Sequence, residues 1–212
     1  MTHLIWDWNG TLLDDTEAAV AALNAMLARR GLAPIDRTLY RDVFAFPVRP
    51  FYERIGFRLE DEDWDALAVE YHDRYAEQPK GLNPGAVAAL ERVRARGARQ
   101  SIVSALRQDL LDEAVRTAGV AAFMDHVCGV DNLNGSSKLD RARELVANLV
   151  DAGAARTDLV MIGDALHDKE VAEAVGIRCV LCAEGSHAAW RLRAAGPTAE
   201  TLSEALDLAL DV

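Results

Sequence analysis

Four short polar clusters, each at the edge of an apolar run or a helical pattern, carry the groups in this chain that could do chemistry. They are Asp7-Trp8-Asn9-Gly10-Thr11, Ser104 with Ala105 behind it, Lys138 after Gly135-Ser136-Ser137, and Gly163-Asp164-Ala165-Leu166-His167-Asp168. Together they offer carboxylates for a hard cation, hydroxyl and backbone donors, and one ammonium. Such a set suits a phosphate group together with Mg²⁺. Each cluster also has a plainer reading: Asp164, Asp168 and Ser104 are good helix caps, and Lys138 reads as a surface lysine. A cation at a helix start is electrostatically unfavourable, so Lys138 calls for a compensating anion there. Only three of the 23 basic side chains are lysine, Lys80, Lys138 and Lys169. In a chain that otherwise uses arginine, that choice suggests that a compact point charge is wanted at Lys138.

These clusters need a scaffold, and the hydrophobic pattern supplies one. Apolar runs at His3–Trp8, Arg99–Ser104, His126–Val130, Leu159–Ile162 and Ile177–Leu181 read as buried strands. Between them lie helical patterns at Pro84–Arg96, Gln108–Ala118, Leu139–Val150, Lys169–Val175 and His187–Ala195, most of them stopped by a glycine. The alternation predicts an α/β fold with a doubly wound, mainly parallel sheet, and ligands in such sheets bind at the carboxyl ends of the strands. Residues 16–79 break the rhythm, with helical patterns at Thr16–Arg30, Arg37–Phe44 and Asp61–Glu77 and no strand. The expected organisation is a core of residues 1–15 and 80–212 with a small all-helical cap of residues 16–79 inserted, hinged at Asp14-Asp15 and Gln78-Pro79-Lys80-Gly81. The acidic run Glu60–Asp63 is expected to cap and start the third of these helices.

The chain has 212 residues, 50% hydrophobic and 27% charged, which excludes disorder as a general description. A formal charge of -11 disfavours nucleic acid or an anionic membrane as partner, since no basic excess exists to neutralise phosphates. Asp7 interrupts any secretory apolar segment, and a cytoplasmic location is expected. Cys128, Cys179 and Cys182 are too few and too odd for a disulfide framework. The Cys179–Cys182 pair spells C-x-x-C but lies in an apolar strand, so buried strand cysteines are expected rather than a metal or redox site.

The four clusters fall in the order and spacing of the four motifs of the haloacid dehalogenase superfamily, and the chain resembles its phosphoglycolate-phosphatase-like branch. The runs LLDDTEA, NPGAVAAL and GDALHDKEVAEAVGI strengthen the likeness along most of the chain. The resemblance implies that Asp7 is a nucleophile forming an aspartyl-phosphate. Asp7, Asp164, Asp168 and the Asn9 carbonyl would hold Mg²⁺, with Asp168 acting through water or orienting Lys138. Gly10, Thr11, Ser104, the Ala105 N–H and Lys138 would hold the phosphate. A small phosphorylated metabolite is the implied substrate, and the protein would be a monomer or homodimer.

One position departs from the pattern. The phosphatases of this superfamily usually carry an aspartate two residues after the nucleophile, which protonates the leaving oxygen and then activates water; this chain has Asn9. Losing that help costs roughly 10²–10⁴ in rate. Three outcomes follow. Asp14, Asp15, His167 or a cap residue substitutes, or the leaving group needs no help; the chain is a weak or inactive phosphoester-binding protein; or the chemistry resembles phosphonate cleavage. The last needs a cap lysine, and residues 16–79 contain none. A dehalogenase is also disfavoured, because Gly163-Asp164 keeps the metal position. Deamidation of Asn9-Gly10 would restore the usual aspartate. In the cap, Phe46–Tyr52 is the segment expected to face the site, with Arg49 either pairing a second anion of the substrate or flanking a helix on the surface. Tyr40, Trp64 and Tyr71 are expected in the cap core.

Overall fold

A computed structural model describes residues 1–132 and 138–210. The strand β1 (His3–Trp6) leads to the short β2 (Leu13–Asp14) and then to four helices, α1 (Thr16–Arg29), α2 (Arg37–Val43), α3 (Val48–Arg54) and α4 (Trp64–Ala76). After β3 (Gly81–Leu82), helices and strands alternate: α5 (Ala86–Ala95), β4 (Arg99–Arg107), α6 (Gln108–Thr117), β5 (Val127–Val130) and α7 (Lys138–Asp151). The chain ends with β6 (Leu159–Gly163), α8 (Leu166–Ala174), β7 (Arg178–Cys182), α9 (Ala189–Ala195), β8 (Thr198–Ala199) and α10 (Leu202–Leu210).

Six strands form one parallel sheet in the order β5-β4-β1-β6-β7-β8. The period-two pattern of the strands sends alternate residues to opposite faces. Leu4, Trp6, Ile102, Val160 and Ile162 pack with α5, α6 and α10 on one face; Ile5, Val103, Leu159 and Met161 pack with α7 and α8 on the other. Burying each of these side chains contributes about 1.5–3 kcal/mol. The sheet is therefore doubly wound, and β1 at its centre has neighbours that continue the chain outward in both directions. That is the topological switch point, where the carboxyl ends of β1, β4 and β6 leave a crevice.

Helices α1–α4 close on their own hydrophobic cluster, with Leu23, Met26, Leu27, Tyr40, Phe51 and Leu67 buried in it. Where the chain leaves the sheet and returns, β2 and β3 pair antiparallel, Leu13 opposite Leu82 and Asp14 opposite Gly81, a ribbon that overlaps the expected hinge segments only at Asp14 and Gly81. The helical layer also docks on the far edge of the core. Arg41 donates to the carbonyls of Ala183 and His187, Arg191 donates to those of Arg41 and Phe44, and the Trp190 indole donates to Asp42 at 2.9 Å.

Some expected boundaries shift for local reasons. Helix α4 starts at Trp64, because Asp63 accepts from the N–H groups of Asp65 and Ala66 and caps it, while Glu60 and Asp61 lie in a preceding 3₁₀ turn. Glu62 instead pairs with Arg30. Val48–Arg54 is a helix that the sequence pattern did not announce; Pro50 sits in its first turn, where a missing N–H costs nothing. Cys179 and Cys182 stand three residues apart on β7 and face opposite sides of the sheet, so they share no site. Burial pushes the Cys182 thiol up to about 12.

Candidate active site

Asp7 directly follows β1, its backbone N–H bonded to the Ile162 carbonyl on β6. Asp164 follows β6, and Asp168 lies in the first turn of α8. Carboxylate oxygens of Asp7, Asp164 and Asp168 lie within 4.8 Å of one another, and all three residues are buried. Lys138, the first residue of α7, is only 3% exposed. Its ammonium donates to Asp7 Oδ1 and, at 2.5 Å, to Asp168 Oδ1. This supplies the anion that a cation at a helix start requires. Gly135-Ser136-Ser137, expected to precede that helix, lie outside the described residues.

The charges of this cluster do not balance. Burial pushes the Asp7 carboxyl well up; Lys138 opposes the rise, and Asp168 and Asp164 add to it. Burial, then Asp168, pushes Asp164 up to about 6, against the hydrogen bonds of Ser186. Burial alone would lower the Lys138 ammonium, but Asp168 and Asp7 outweigh it and push it up. Of the three buried carboxylates only Asp7 and Asp168 pair with the one ammonium, and Asp7 and Asp164 are held above their ordinary range. A hard divalent cation fits this deficit, and the all-oxygen donor set is the kind that Mg²⁺ takes.

The loop after Asp7 is shaped by close approach. Gly10 has φ +76°, and a Cβ there would lie 2.3 Å from an Asp164 carboxylate oxygen. Only glycine fits. Thr11 Oγ1 donates to Asp164 Oδ1 at 3.0 Å, and the hydroxyl is fully buried. Ser104 Oγ accepts from the Leu106 N–H, which leaves its own hydrogen free to donate; α6 begins only at Gln108, so Ser104 is not that helix's cap. Asp168 orients Lys138 with one oxygen, and its other oxygen accepts the Ala165 N–H at the start of α8.

Asn9 donates its side-chain amide to Asp15 Oδ2 at 2.7 Å, and Asp15 also accepts from Tyr75 Oη and the Gly10 N–H. Burial pushes the Asp15 carboxyl up; Tyr75, Asn9 and Gly10 counter it. The Gly10 nitrogen, which would have to attack the Asn9 amide for deamidation, is thus tied to Asp15. Asp14 is exposed on β2. His167 stands against Phe46, ring centroids 5.0 Å apart, and burial followed by Lys138 lowers its imidazole.

A cavity of about 180 Å³ joins this cluster to α1–α4. Asp7, Asn9, Ser104, Ala105 and Lys138 line its core side, and Tyr40, Phe44, Phe51, Trp64 and Tyr71 its helical side. The cap aromatics therefore do both things: they pack the helical cluster and wall the cavity. Arg49 is not brought into the site. It is exposed on α3, its guanidinium over the Trp64 ring at 5.4 Å, and it does not line the cavity. The surface reading is the one that holds.

Sequence reasoning missed Gly185 and Ser186. Ser186 donates both its N–H, at 2.6 Å, and its hydroxyl to Asp164 Oδ2, while a Cβ on Gly185 would lie 2.2 Å from the same oxygen. The signal was present: both follow β7, and the carboxyl-end rule applied to that strand points to them.

The fold and this site define an α/β protein whose active centre is a carboxylate–ammonium cluster at the switch point of a parallel sheet. A family model described as haloacid dehalogenase-like hydrolase matches residues 4–182. The chain belongs to that family. It is 26% identical to the probable phosphatase IndB of Dickeya dadantii, over 97% of this chain and 92% of that one. It is 28% identical to a phosphoglycolate phosphatase of Caulobacter vibrioides, over 86% and 79%. The crystal structure of a predicted phosphatase from Clostridium acetobutylicum shares the fold, with a TM-score of 0.79 at 18% identity, covering 100% of this chain and 99% of that one.

Proposed function

We propose that this hydrolase is a Mg²⁺-dependent phosphatase of small phosphate monoesters, with Asp7 as nucleophile. The observation that carries the reading is a cluster of three buried carboxylates, Asp7, Asp164 and Asp168, two of them paired with the ammonium of Lys138, beside a cavity. The named relatives, a probable phosphatase and a phosphoglycolate phosphatase, support it.

Asp7, Asp164, Asp168 and the Asn9 carbonyl would hold the ion. When bound, Mg²⁺ would neutralise charge on the phosphoryl oxygens and polarise phosphorus. The remaining work belongs to the chain. Lys138 orients the Asp7 carboxylate and offers positive charge to the phosphoryl group, while the Ser104 hydroxyl and the Ala105 N–H donate to its oxygens. The Asp7 oxygen attacks phosphorus, the bond to the ester oxygen breaks, and an aspartyl-phosphate forms; water then attacks phosphorus and frees Asp7. Helices α1–α4, read as a cap of residues 16–79, exclude bulk water from the cluster.

Steady-state assays of phosphate monoesters with Mg²⁺ and with chelator, on wild type and Asp7→Asn, test this. Chelator-sensitive turnover that is lost in Asp7→Asn is expected. A chain that binds phosphate esters at this site without turning them over, the rival that Asn9 raises, would show wild type equal to Asp7→Asn on every ester.

A further inference from the structure

The substrate end of the cavity is unlike a site for a small hydrophilic ester. Phe44, Phe46, Phe51 and Leu67 present carbon to it, and the phenol rings of Tyr40 and Tyr71 line it as well. Among the described residues no arginine lines it; the lysine that does, Lys138, is taken by Asp7 and Asp168, and the other basic groups in the lining are the imidazoles of His72 and His167, the latter stacked against Phe46. Residues 133–137, between Asn132 and Lys138, contain no arginine or lysine either. A second anionic group on the substrate would be buried without a permanent counter-charge, at high cost, whereas an aromatic ring would fill this volume with favourable contacts.

A second observation points the same way. Asn9 has no proton to give a leaving oxygen, and the carboxylate nearest to it, Asp15, is occupied as an acceptor by Asn9, Tyr75 and Gly10. A leaving group that departs readily as an anion removes the need for a donor at that point.

We propose that the substrate is a phosphate monoester of a phenolic hydroxyl, its ring seated among the aromatic side chains of α2, α3 and α4. This rests on the reading of Asp7 as phosphoryl acceptor. In the first step the Asp7–phosphorus bond forms and the phosphorus–aryl oxygen bond breaks, its electron pair leaving with the aryloxide, which takes a proton from water. In the second, water attacks phosphorus and the Asp7–phosphorus bond breaks; one proton of that water stays on inorganic phosphate and the other neutralises the hydroxide left by the first step. One ester and one water become one phenol and one phosphate.

The test compares kcat/KM for phenyl, 4-nitrophenyl and 1-naphthyl phosphate with that for phosphoglycolate and glucose 6-phosphate, with Asp7→Asn as the blank. Phenyl phosphate is expected to exceed both hydrophilic esters by at least about 10², the factor that the missing acid would otherwise supply. To separate recognition from leaving ability, equilibrium binding of (1-naphthyl)methylphosphonate is compared with that of phosphonoacetate, with at least about tenfold tighter binding expected for the aryl compound. Ala68→Phe, which fills the cavity from α4, should erase that preference. Hydrolysis of phosphoglycolate or glucose 6-phosphate as fast as the aryl esters, or equal binding of the two phosphonates, overturns the substrate class and leaves Asp7 catalysis standing. Failure of every ester to react faster than in Asp7→Asn overturns the reading of Asp7, and this inference with it.

Discussion

The side-chain amide of Asn9 donates to Asp15 Oδ2 across 2.7 Å, so the position expected to hold an acid is instead a hydrogen-bond donor to a carboxylate six residues away. The two residues form one unit with Tyr75, which donates to the same oxygen.

Replacing only one member of that unit has a predictable cost. Asn9→Asp sets two carboxylates against each other in a buried position, so they must share a proton or separate. The variant is expected to lose about 1–3 kcal/mol in urea unfolding at pH 7 and to gain little activity. The double variant Asn9→Asp/Asp15→Asn keeps a donor–acceptor pair with its direction reversed. It should regain stability and hydrolyse poor leaving groups faster, by up to about 10²–10⁴.

Lys138 neutralises two buried carboxylates. Lys138→Met leaves Asp7 and Asp168 facing each other without the ammonium, and breaking such a buried pair costs about 3–5 kcal/mol. Part of this loss should return on lowering the pH from 7 to 5, as the carboxyls take up protons. Turnover should be abolished at both pH values. Urea titrations at the two pH values check the sign.

Metal binding should depend on pH through Asp164. Its folded-state carboxyl is raised by burial to about 6, above the ordinary aspartate range. Being raised, it favours folding of the metal-free protein most below about pH 4, and that contribution disappears as pH rises through about 6. The ionised form is the one that ligates a cation. The increase in melting temperature on adding Mg²⁺ should therefore be small at pH 5 and grow to a plateau above pH 7.

Much of this was legible in the chain because the sheet imposes it. Apolar runs of four to six residues that alternate with helical patterns marked the sheet and its carboxyl ends, and those ends brought Asp7, Asp164 and, from the head of α7, Lys138 together; Ser104 joins them from inside β4, which runs past the expected end to Arg107. Helix α3 was not legible: seven residues containing Pro50 carry too short a period to reveal a helix, so the sequence left Arg49 open between the site and the surface, and its helix turns it onto Trp64. The Asn9–Asp15–Tyr75 unit was hidden for another reason. Tyr75 lies 60 residues from Asp15 in the chain, and only the docking of α4 brings them into contact.

Ser186 orients Asp164 through its hydroxyl and its N–H. Ser186→Ala keeps the N–H and loses the hydroxyl. Mg²⁺ affinity measured by calorimetry should fall about tenfold, with the fold unchanged.

The most direct measurement is rapid-quench analysis of wild-type protein mixed with 4-nitrophenyl phosphate and Mg²⁺. Because Asn9 cannot activate the water that attacks the phospho-enzyme, the first product should appear as a burst of one aryloxide per active site. The quenched protein should carry one phosphoryl group, located by peptide mass spectrometry on Asp7. Linear product formation from the first turnover, with no phosphoryl group on Asp7 and unchanged rates in Asp7→Asn, would contradict the account.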